Sequence, residues 1–135
     1  MGFELHPHLA ADTVAVGDLP LCRLLLMNDA QYPWTILVPR REGLREIYQL
    51  NATDQPQFWR ESAQLSKALM THFKGDKLNV AALGNMVPQL HIHHIVRFAG
   101  DPAWPAPVWG RHPLRAYDST ALDEQLQQLR ALLGL

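Results

Sequence analysis

Residues 85–97 read Asn-Met-Val-Pro-Gln-Leu-His-Ile-His-His-Ile-Val-Arg, and this stretch carries the strongest structural signal in the chain. Gln89, His91 and His93 fall at every second position, with apolar residues between them. Residues two apart in a strand point to the same face of a sheet. The pattern therefore predicts a strand over residues 89–98 that presents two imidazoles and one carboxamide in a row, about 6–7 Å from one to the next.

The segments on either side of this strand predict a small sheet with helices. Apolar runs bounded by turn residues predict further strands over residues 12–16, 21–27, 34–38 and 78–83. Apolar residues at spacings of three and four predict a long helix that begins at Thr53 or Asp54 and ends at Gly75. Shorter patterns of the same kind predict helices over 44–50 and 121–133. The element order β-β-β-α-α-β-β-α predicts an α+β fold built on an antiparallel sheet.

The length and composition of the chain limit the classes of protein to which it can belong. Its 135 residues fit one domain, and a net charge of −1 provides no basic surface for a nucleic-acid backbone, so we expect no nucleic-acid partner. Cys22 is the only cysteine, which excludes an intrachain disulfide and a cysteine-based zinc site. Residues 1–10 lack the apolar run of a signal peptide, and no segment reaches the roughly 18 apolar residues of a membrane span. We therefore expect a cytoplasmic protein with no membrane partner.

The alternating histidines have three interpretations. The first is a half-buried polar face of the sheet without any chemistry. The second is a metal site, since two histidines at i and i+2 can share an ion; zinc needs three or four protein ligands, and nothing in the sequence identifies the others. The third is phosphate chemistry, for which histidine offers a pKa near neutrality and a nucleophilic nitrogen.

The residues around the histidines suit phosphate chemistry. Backbone N–H groups in the turn at 84–87 can surround an anion, and Asn85 can add a side-chain hydrogen bond. A neutral His91 can attack phosphorus as a covalent nucleophile, and His93 can bind phosphate oxygens or hand a proton to the leaving group. The Gln89 amide does not ionise, so we expect it to orient the phosphate by hydrogen bonding.

The segment Gln89-Leu90-His91-Ile92-His93-His94-Ile95 resembles the motif His-φ-His-φ-His-φ-φ of the histidine triad (HIT) family of nucleotide hydrolases and transferases, in which φ is apolar. Two positions differ, because Gln89 stands for the first histidine and His94 occupies an apolar position. The resemblance covers about residues 12–98, and within it Trp34 stands where many members have a further histidine.

The resemblance implies a fold, a reaction and a set of site residues. Family members are small α+β domains that form dimers and bind a purine nucleotide in a cleft on the sheet. Their middle histidine forms a covalent nucleotidyl intermediate at the α-phosphate, which implies His91 as the nucleophile, with His93 and Gln89 at the other catalytic positions. The implied nucleotide- and phosphate-binding residues are Asn28, Asn85, Met86 and Val87. The resemblance implies no cofactor and no metal.

We therefore predict a single HIT-like domain over residues 1–135, with a core at about 12–98 and a Pro- and Trp-rich arm and helix over 99–135. Its antiparallel sheet should have about five strands, with two helices packed on it and a further helix at the C-terminal end. The predicted function is a homodimeric hydrolase or nucleotidyl transferase that acts at the α-phosphate of a phosphoanhydride or phosphoramidate, such as a dinucleoside polyphosphate. Two alternatives stay open: a nucleotide-binding module with little turnover, because Gln89 and Trp34 replace expected histidines, and a histidine-rich metal-binding β-domain.

Overall fold

A five-stranded antiparallel sheet forms the centre of the computed structural model, which describes residues 2–135. Met1 lies outside the described residues, although the predicted domain includes it. The strands are β1 (Thr13–Asp18), β2 (Cys22–Met27), β3 (Trp34–Pro39), β4 (Lys77–Ala81) and β5 (Ile92–Arg97). The α-helices are α1 (Pro7–Asp12), α2 (Asp54–Phe73) and α3 (Ser119–Leu133). The predicted α+β class and the antiparallel sheet of about five strands are confirmed.

The strand order in the sheet is β1-β2-β3-β5-β4, so β5 lies between β3 and β4. Strands β2 and β3 form a hairpin because their apolar runs are separated by a short polar loop and can pair side by side. Strand β3 then pairs with β5, which puts Ile36 opposite His93 and Trp34 opposite Ile95. Residues at directly opposite positions share a face, so Trp34 and His93 lie on the same face of the sheet as diagonal neighbours.

The two faces of the sheet are covered by different parts of the chain. Helices α2 and α3 pack on one face with apolar stripes that include Phe58, Leu65, Leu69, Leu126, Leu129 and Leu133. The other face is covered by α1, through Leu9, and by the segment that we call the arm (residues 99–118), through Ala103 and Val108. His93 points to this second face, because its partner Ile36 belongs to the apolar cluster there.

The two edges of the sheet differ in how they are covered. At β1, the Arg130 guanidinium of α3 donates hydrogen bonds to the carbonyl oxygens of Val16 at 2.9 Å and Ala15 at 3.3 Å. These carbonyls lie at a β-bulge between Ala15 and Gly17, where the strand register shifts. Strand β4 pairs with β5 on one side and has no strand partner within residues 2–135 on the other. The β1 edge is therefore partly covered by α3, whereas the outer side of β4 is open within residues 2–135.

The predicted helix over 44–50 is wrong, since the segment forms only a 3₁₀ turn at Ile47–Gln49. A single turn gains too few hydrogen bonds for the dihedral angles that it fixes, so it is not stable by propensity alone. The Leu44 carbonyl instead accepts a hydrogen bond from the Leu90 N–H at 2.9 Å. This bond ties the segment to the residues that lead into β5.

Strand β5 begins at Ile92, later than the predicted start at residue 89, so Gln89 and His91 precede it. Its pairing with β3 ends where Leu37 faces Ile92, and β3 closes at Pro39, which has no backbone N–H to offer. The alternation of a strand therefore applies to His93 and the residues after it, and not to Gln89.

Helix α1 is absent from the prediction. Pro7 suits its first turn because a proline there loses no hydrogen bond, and the His6 Nδ1 accepts a hydrogen bond from the His8 N–H at 3.1 Å. Its six residues are too few for a stable isolated helix. The burial of Leu9 against the second face of the sheet holds it in place.

Helix α2 is the longest helix, with 20 residues, and it carries polar and charged side chains along its length. Within residues 2–135, none of the helices combines the length and the apolar character that a bilayer-spanning segment needs.

Candidate active site

A pocket of about 360 Å³ lies on the face of the sheet that α2 does not cover. Its walls come from α1, the loop over residues 83–87, the sheet, and Trp109 of the arm. His91 and His93 both line it, and most of the remaining wall is apolar. An apolar concavity with a few polar groups is the usual form of a small-molecule site.

His91 lies just before β5, with only 6 % of its surface exposed. Its Nδ1 is 2.7 Å from the carbonyl oxygen of Gln89. A carbonyl oxygen only accepts hydrogen bonds, so Nδ1 carries the proton and the neutral ring has its lone pair on Nε2. Burial lowers the pKa of His91 below its ordinary value; the Gln89 carbonyl opposes this shift, and the nearby His6 adds to it. His91 is therefore a neutral imidazole at pH 7 with a nucleophilic nitrogen.

His93 is the second imidazole of the pocket and is also 6 % exposed. Its Nδ1 accepts a hydrogen bond from the indole Nε1–H of Trp34 at 3.0 Å. Burial, with smaller contributions from His91 and His94, lowers the pKa of His93 to about 3. The ring centroids of His91 and His93 are 5.0 Å apart, with an angle of 69° between the ring planes. Two neutral imidazoles thus lie close enough to contact one phosphate group.

The loop over residues 83–87 brings Asn85, Met86 and Val87 to the pocket that holds the two histidines. Gly84 has a φ of +71°, a left-handed conformation that glycine adopts without steric cost. The backbone N–H groups from Gly84 to Val87 form no hydrogen bond within residues 2–135. Successive free N–H groups of this kind can bind an anion.

Gln89 lies outside the pocket, which corrects the expected row of three side chains. Its Oε1 accepts a hydrogen bond from the His6 N–H at 2.8 Å, and its Nε2 donates to the Glu4 carbonyl at 2.8 Å. Because β5 begins only at Ile92, the strand alternation does not extend back to Gln89. The amide is engaged with the N-terminal segment, and the backbone carbonyl of Gln89 reaches the site instead, through its bond to His91.

Asn28, the predicted nucleotide contact on the sheet, is not part of the pocket wall. Its Oδ1 accepts a hydrogen bond from the Tyr117 N–H at 3.0 Å, and its own N–H donates to the Asp12 carbonyl at 3.0 Å. The preceding residue, Met27, lines the pocket. The arm returns across this end of β2, and its Tyr117 N–H is bonded to the amide oxygen of Asn28.

Comparison with known proteins identifies the family of this fold. The HIT domain family model matches residues 8–100. The chain belongs to the HIT domain family. A histidine triad protein from Marinobacter aquaeolei VT8, solved by crystallography, is 54 % identical over 99 % of this chain and 98 % of its own, with a TM-score of 0.97. The crystal structure of a histidine triad protein from Bradyrhizobium japonicum is 47 % identical over 97 % of this chain and 98 % of its own, with a TM-score of 0.94.

A third histidine triad (HIT) protein, from Sinorhizobium meliloti 1021, is 36 % identical over 96 % of both chains, with a TM-score of 0.93. Among curated proteins, none matches the sequence. The resemblance to the HIT family that the segment 89–95 indicates is thus confirmed. The family match ends at residue 100, whereas these three structures also align with most of the arm and α3.

Sequence-based prediction misses the contribution of α1, which places His8 and Asp12 of this HIT protein at the pocket. The Asp12 carboxylate forms no hydrogen bond or ion pair within residues 2–135. Prediction also misses the contacts of the aromatic rings, since Trp109 lies 5.0 Å from His93 and 5.9 Å from Trp34 between ring centroids. Two features of the sequence point to these contacts. Trp34 stands where the family resemblance leads one to expect a histidine, and Trp109 lies in a proline-rich segment.

His94 of the HIT protein lies on the opposite face of β5 and is fully buried. Its Nδ1 donates to the Ile92 carbonyl at 3.1 Å, and its Nε2 accepts a hydrogen bond from the Ser62 hydroxyl of α2 at 2.7 Å. Burial lowers the pKa of His94 to about 4, although the Ile92 carbonyl opposes the shift. His94 therefore joins β5 to α2 as a neutral residue outside the pocket.

No group of three or more His, Cys, Asp or Glu side chains is arranged to hold a metal ion in the part of the HIT protein that the structure describes. His91 and His93 by themselves make two of the three or four ligands that a zinc site needs. The arrangement gives no support to the interpretation as a histidine-rich metal-binding domain.

Proposed function

We propose that this HIT protein is a nucleotide hydrolase or nucleotidyl transferase whose substrate carries a phosphoanhydride or phosphoramidate, such as a dinucleoside polyphosphate. The observation that carries the proposal is the position of His91, with a free lone pair on Nε2, beside His93 and the unpartnered N–H groups of residues 84–87. A nucleophile, a second imidazole and an anion-binding loop are then available to one phosphate group.

The proposed reaction has two displacements at the α-phosphorus. In the first, Nε2 of His91 forms a P–N bond while the bond from phosphorus to the leaving group breaks. The leaving group departs with the bonding electron pair and takes its proton from water, while the neutral His93 contacts it or the phosphate by hydrogen bonding without losing its own proton. In the second, the oxygen of water or another acceptor attacks the same phosphorus and releases its proton to solvent, while the P–N bond breaks and restores the free imidazole. The loop N–H groups stabilise the charge on the non-bridging oxygens in both steps.

The remainder of the pocket suits a nucleoside. Leu9 and Met27 present apolar surface on which a base can pack. The Asp12 carboxylate can accept hydrogen bonds from ribose hydroxyls. We assign the ribose contact to Asp12, which lines the pocket, in place of Asn28, which does not line it and whose Oδ1 accepts the hydrogen bond from the Tyr117 N–H.

A covalent adduct tests the proposal. Mixing the protein with a dinucleoside polyphosphate labelled at the α-phosphate, followed by rapid quenching and intact-protein mass spectrometry, should reveal one nucleotidyl group per site. His91→Ala should form no adduct and have no turnover, and it should still fold, since truncation of one side chain rarely unfolds a domain. His72→Ala, at an exposed position of α2 away from the pocket, is the matched control and should keep both. Unchanged hydrolysis by His91→Ala would overturn the mechanism.

A second candidate is a nucleotide-binding module with little turnover. Its support is the position of Gln89, whose amide is held by Glu4 and His6, and the presence of Trp34 where a family histidine is expected. This candidate predicts that nucleotides raise the thermal unfolding temperature by binding the native state. It also predicts that no adduct forms on His91.

The proposal includes a homodimer that acts in the cytoplasm on a small-molecule nucleotide, with neither nucleic acid nor a membrane as a partner. The open edge of β4 supports the dimer, since an unpaired strand can pair with a copy of itself. Cell fractionation tests the location.

A further inference from the structure

Trp34 and His93 form a buried pair on neighbouring strands. They are diagonal neighbours on one face of the sheet, because Trp34 of β3 faces Ile95 and His93 of β5 faces Ile36. Only 3 % of the Trp34 surface and 6 % of the His93 surface are exposed. The indole Nε1 lies 3.0 Å from the imidazole Nδ1, with the ring centroids 5.8 Å apart. The bond is therefore made within the sheet face and shielded from solvent.

The chemistry of the two rings decides where the proton of His93 lies. An indole N–H donates hydrogen bonds and cannot accept them, so the His93 Nδ1 must present a lone pair. A neutral imidazole carries one proton, which must then be on Nε2. This nitrogen has no hydrogen-bond partner within residues 2–135, and His93 lines the pocket.

We propose that Trp34 is a positioning residue that holds His93 as its neutral Nε2–H tautomer, so that His93 presents a hydrogen-bond donor to the pocket. His91 is held in the opposite tautomer by the Gln89 carbonyl, so it presents a lone pair to the same space. The pair then offers one phosphate group a nucleophile and a donor from adjacent rings. The part of this inference that concerns phosphate rests on the proposed function, whereas the tautomer does not.

The surroundings of His93 support this assignment. The other titratable groups near it are His91 and His94, and no carboxylate is bonded to either of its ring nitrogens. A carboxylate or carbonyl at Nδ1 would select the Nδ1–H tautomer, as the carbonyl does at His91. With the other tautomer, the N–H of Trp34 would face the N–H of His93, and a buried donor would lose its acceptor. Burial also lowers the pKa of His93, which keeps the ring uncharged.

Nitrogen NMR of the nucleotide-free protein tests the tautomer directly. In protein labelled with ¹⁵N-histidine, long-range proton–nitrogen correlations should show an unprotonated Nδ1 and a protonated Nε2 for His93 at pH 7. His91 should show the reverse pattern. Spectra of His93→Gln and His91→Gln assign the signals. A protonated Nδ1 on His93 in the wild-type protein would overturn the inference.

Two tryptophan variants test the cause. Trp34→Phe keeps an aromatic ring and removes the N–H, so the His93 signals should move to the averaged values of a tautomer mixture. Trp109→Phe is the matched control, because Trp109 contacts His93 at 5.0 Å between centroids without a hydrogen bond, and it should leave the tautomer unchanged. An unchanged His93 pattern in a folded Trp34→Phe would show that Trp34 does not set the tautomer.

Activity separates this inference from the proposed function. If both hold, Trp34→Phe should lower kcat by roughly tenfold to a hundredfold, by analogy with the range found when the outer hydrogen-bond partner of a metal-binding histidine is removed. A wild-type protein with the Nε2–H tautomer and no adduct would overturn the proposed function and leave the tautomer assignment standing. If Trp34→Phe does not fold, the wild-type spectrum still decides the assignment.

Discussion

The two histidines of the pocket differ because their Nδ1 atoms meet different partners. The Nδ1 of His91 meets the carbonyl of Gln89, and the Nδ1 of His93 meets the indole N–H of Trp34. Since each partner can only accept or only donate, the free nitrogens of the two rings have opposite hydrogen-bonding character. At the scale of the residue, this difference suits the roles that the proposed function gives them, which are attack on phosphorus for His91 and hydrogen-bond donation for His93.

The first prediction concerns His93. If its Nε2–H contacts the phosphate or the leaving group, His93→Ala should slow adduct formation by roughly 10²–10³, the usual cost of removing one hydrogen-bond donor to a charge that develops in the transition state. His93→Gln should lose less, because its amide can still donate a hydrogen bond. Single-turnover kinetics at saturating nucleotide measure the chemical step. A weaker Kd with an unchanged rate of that step would limit His93 to binding.

At the scale of the element, parts of the chain that are distant in sequence hold the walls of the pocket. The N-terminal segment with α1 is tied to the entrance of β5 by the Gln89 amide, and the arm is tied to the end of β2 by Asn28. The free N–H groups of the loop at 83–87 leave it able to bind an anion. In this structure the Gln89 amide and the Asn28 Oδ1 therefore hold neighbouring elements together.

The second prediction concerns Gln89. Gln89→Ala removes two hydrogen bonds to the backbone of residues 4–6, one of them exposed, and should lower the free energy of unfolding by about 1–2 kcal/mol. The His6 amide should exchange faster with solvent, as native-state hydrogen exchange would show. Gln127→Ala, at an exposed position of α3, controls for the substitution itself. If Gln89→Ala keeps the stability of the wild-type protein but slows the chemical step, the Gln89 amide contacts the phosphate and the prediction is wrong.

At the scale of the whole molecule, the two edges of the sheet differ, because α3 contacts the edge at β1 and the other edge is formed by β4. Arg130 of α3 binds the carbonyls of β1 at one edge, whereas β4 has an unpaired outer side within residues 2–135. Val80 on β4 is 46 % exposed although it is apolar. An open apolar edge is usually blocked or paired in native proteins, which favours a two-fold contact between copies of β4.

The third prediction concerns this contact. Light scattering at micromolar concentration should give about twice the mass of the chain, because a two-fold dimer is the commonest soluble oligomer. Val80→Lys should produce a monomer, since a charged edge side chain opposes strand pairing. Leu114→Lys, at a 50 % exposed position of the arm, is the matched control and should stay dimeric. A wild-type monomer would contradict the proposed dimer.

The fourth prediction concerns the stability of the molecule in acid. Burial lowers the pKa values of His93 to about 3 and of His94 to about 4, below the ordinary value of 6.5. At these two positions the unfolded chain therefore binds more protons than the native protein between these values and pH 6.5. Their contribution to stability is full above pH 6.5 and is lost as the pH falls through this range. Each such histidine contributes a slope of up to about 1.4 kcal/mol per pH unit.

Urea unfolding at pH 7, 6 and 5 measures this slope. His94→Gln removes one of the titrating groups, and the dependence of the unfolding free energy on pH should become shallower by about one proton. His72→Gln, at an exposed position of α2, is the control for the same substitution. If His94→Gln and the wild-type protein have the same slope, the buried histidine does not carry the acid sensitivity.

Local patterns were enough to predict much of this fold. The observed bounds of β2, β3 and α2 lie close to the predicted ones, because apolar runs, spacing and capping residues act over a few neighbouring positions. The motif at 89–95 likewise indicates the HIT family, and the sequence predicts that the loop after β4 lies beside the histidines. These features depend on residues that are adjacent in the chain.

The tertiary structure alone decides three features of the site. These are the direction of the Gln89 amide, the pocket wall made by α1, and the hydrogen bond from Trp34 to His93. Each joins residues that are far apart in sequence, as Glu4 and Gln89 are, and each depends on the path that the backbone takes between them. A local pattern cannot encode such a contact, because its free energy includes the packing and desolvation of both partners. The histidine-rich segment can therefore be recognised from sequence. The tautomers that give His91 and His93 different chemical roles are set by partners that only folding brings into contact.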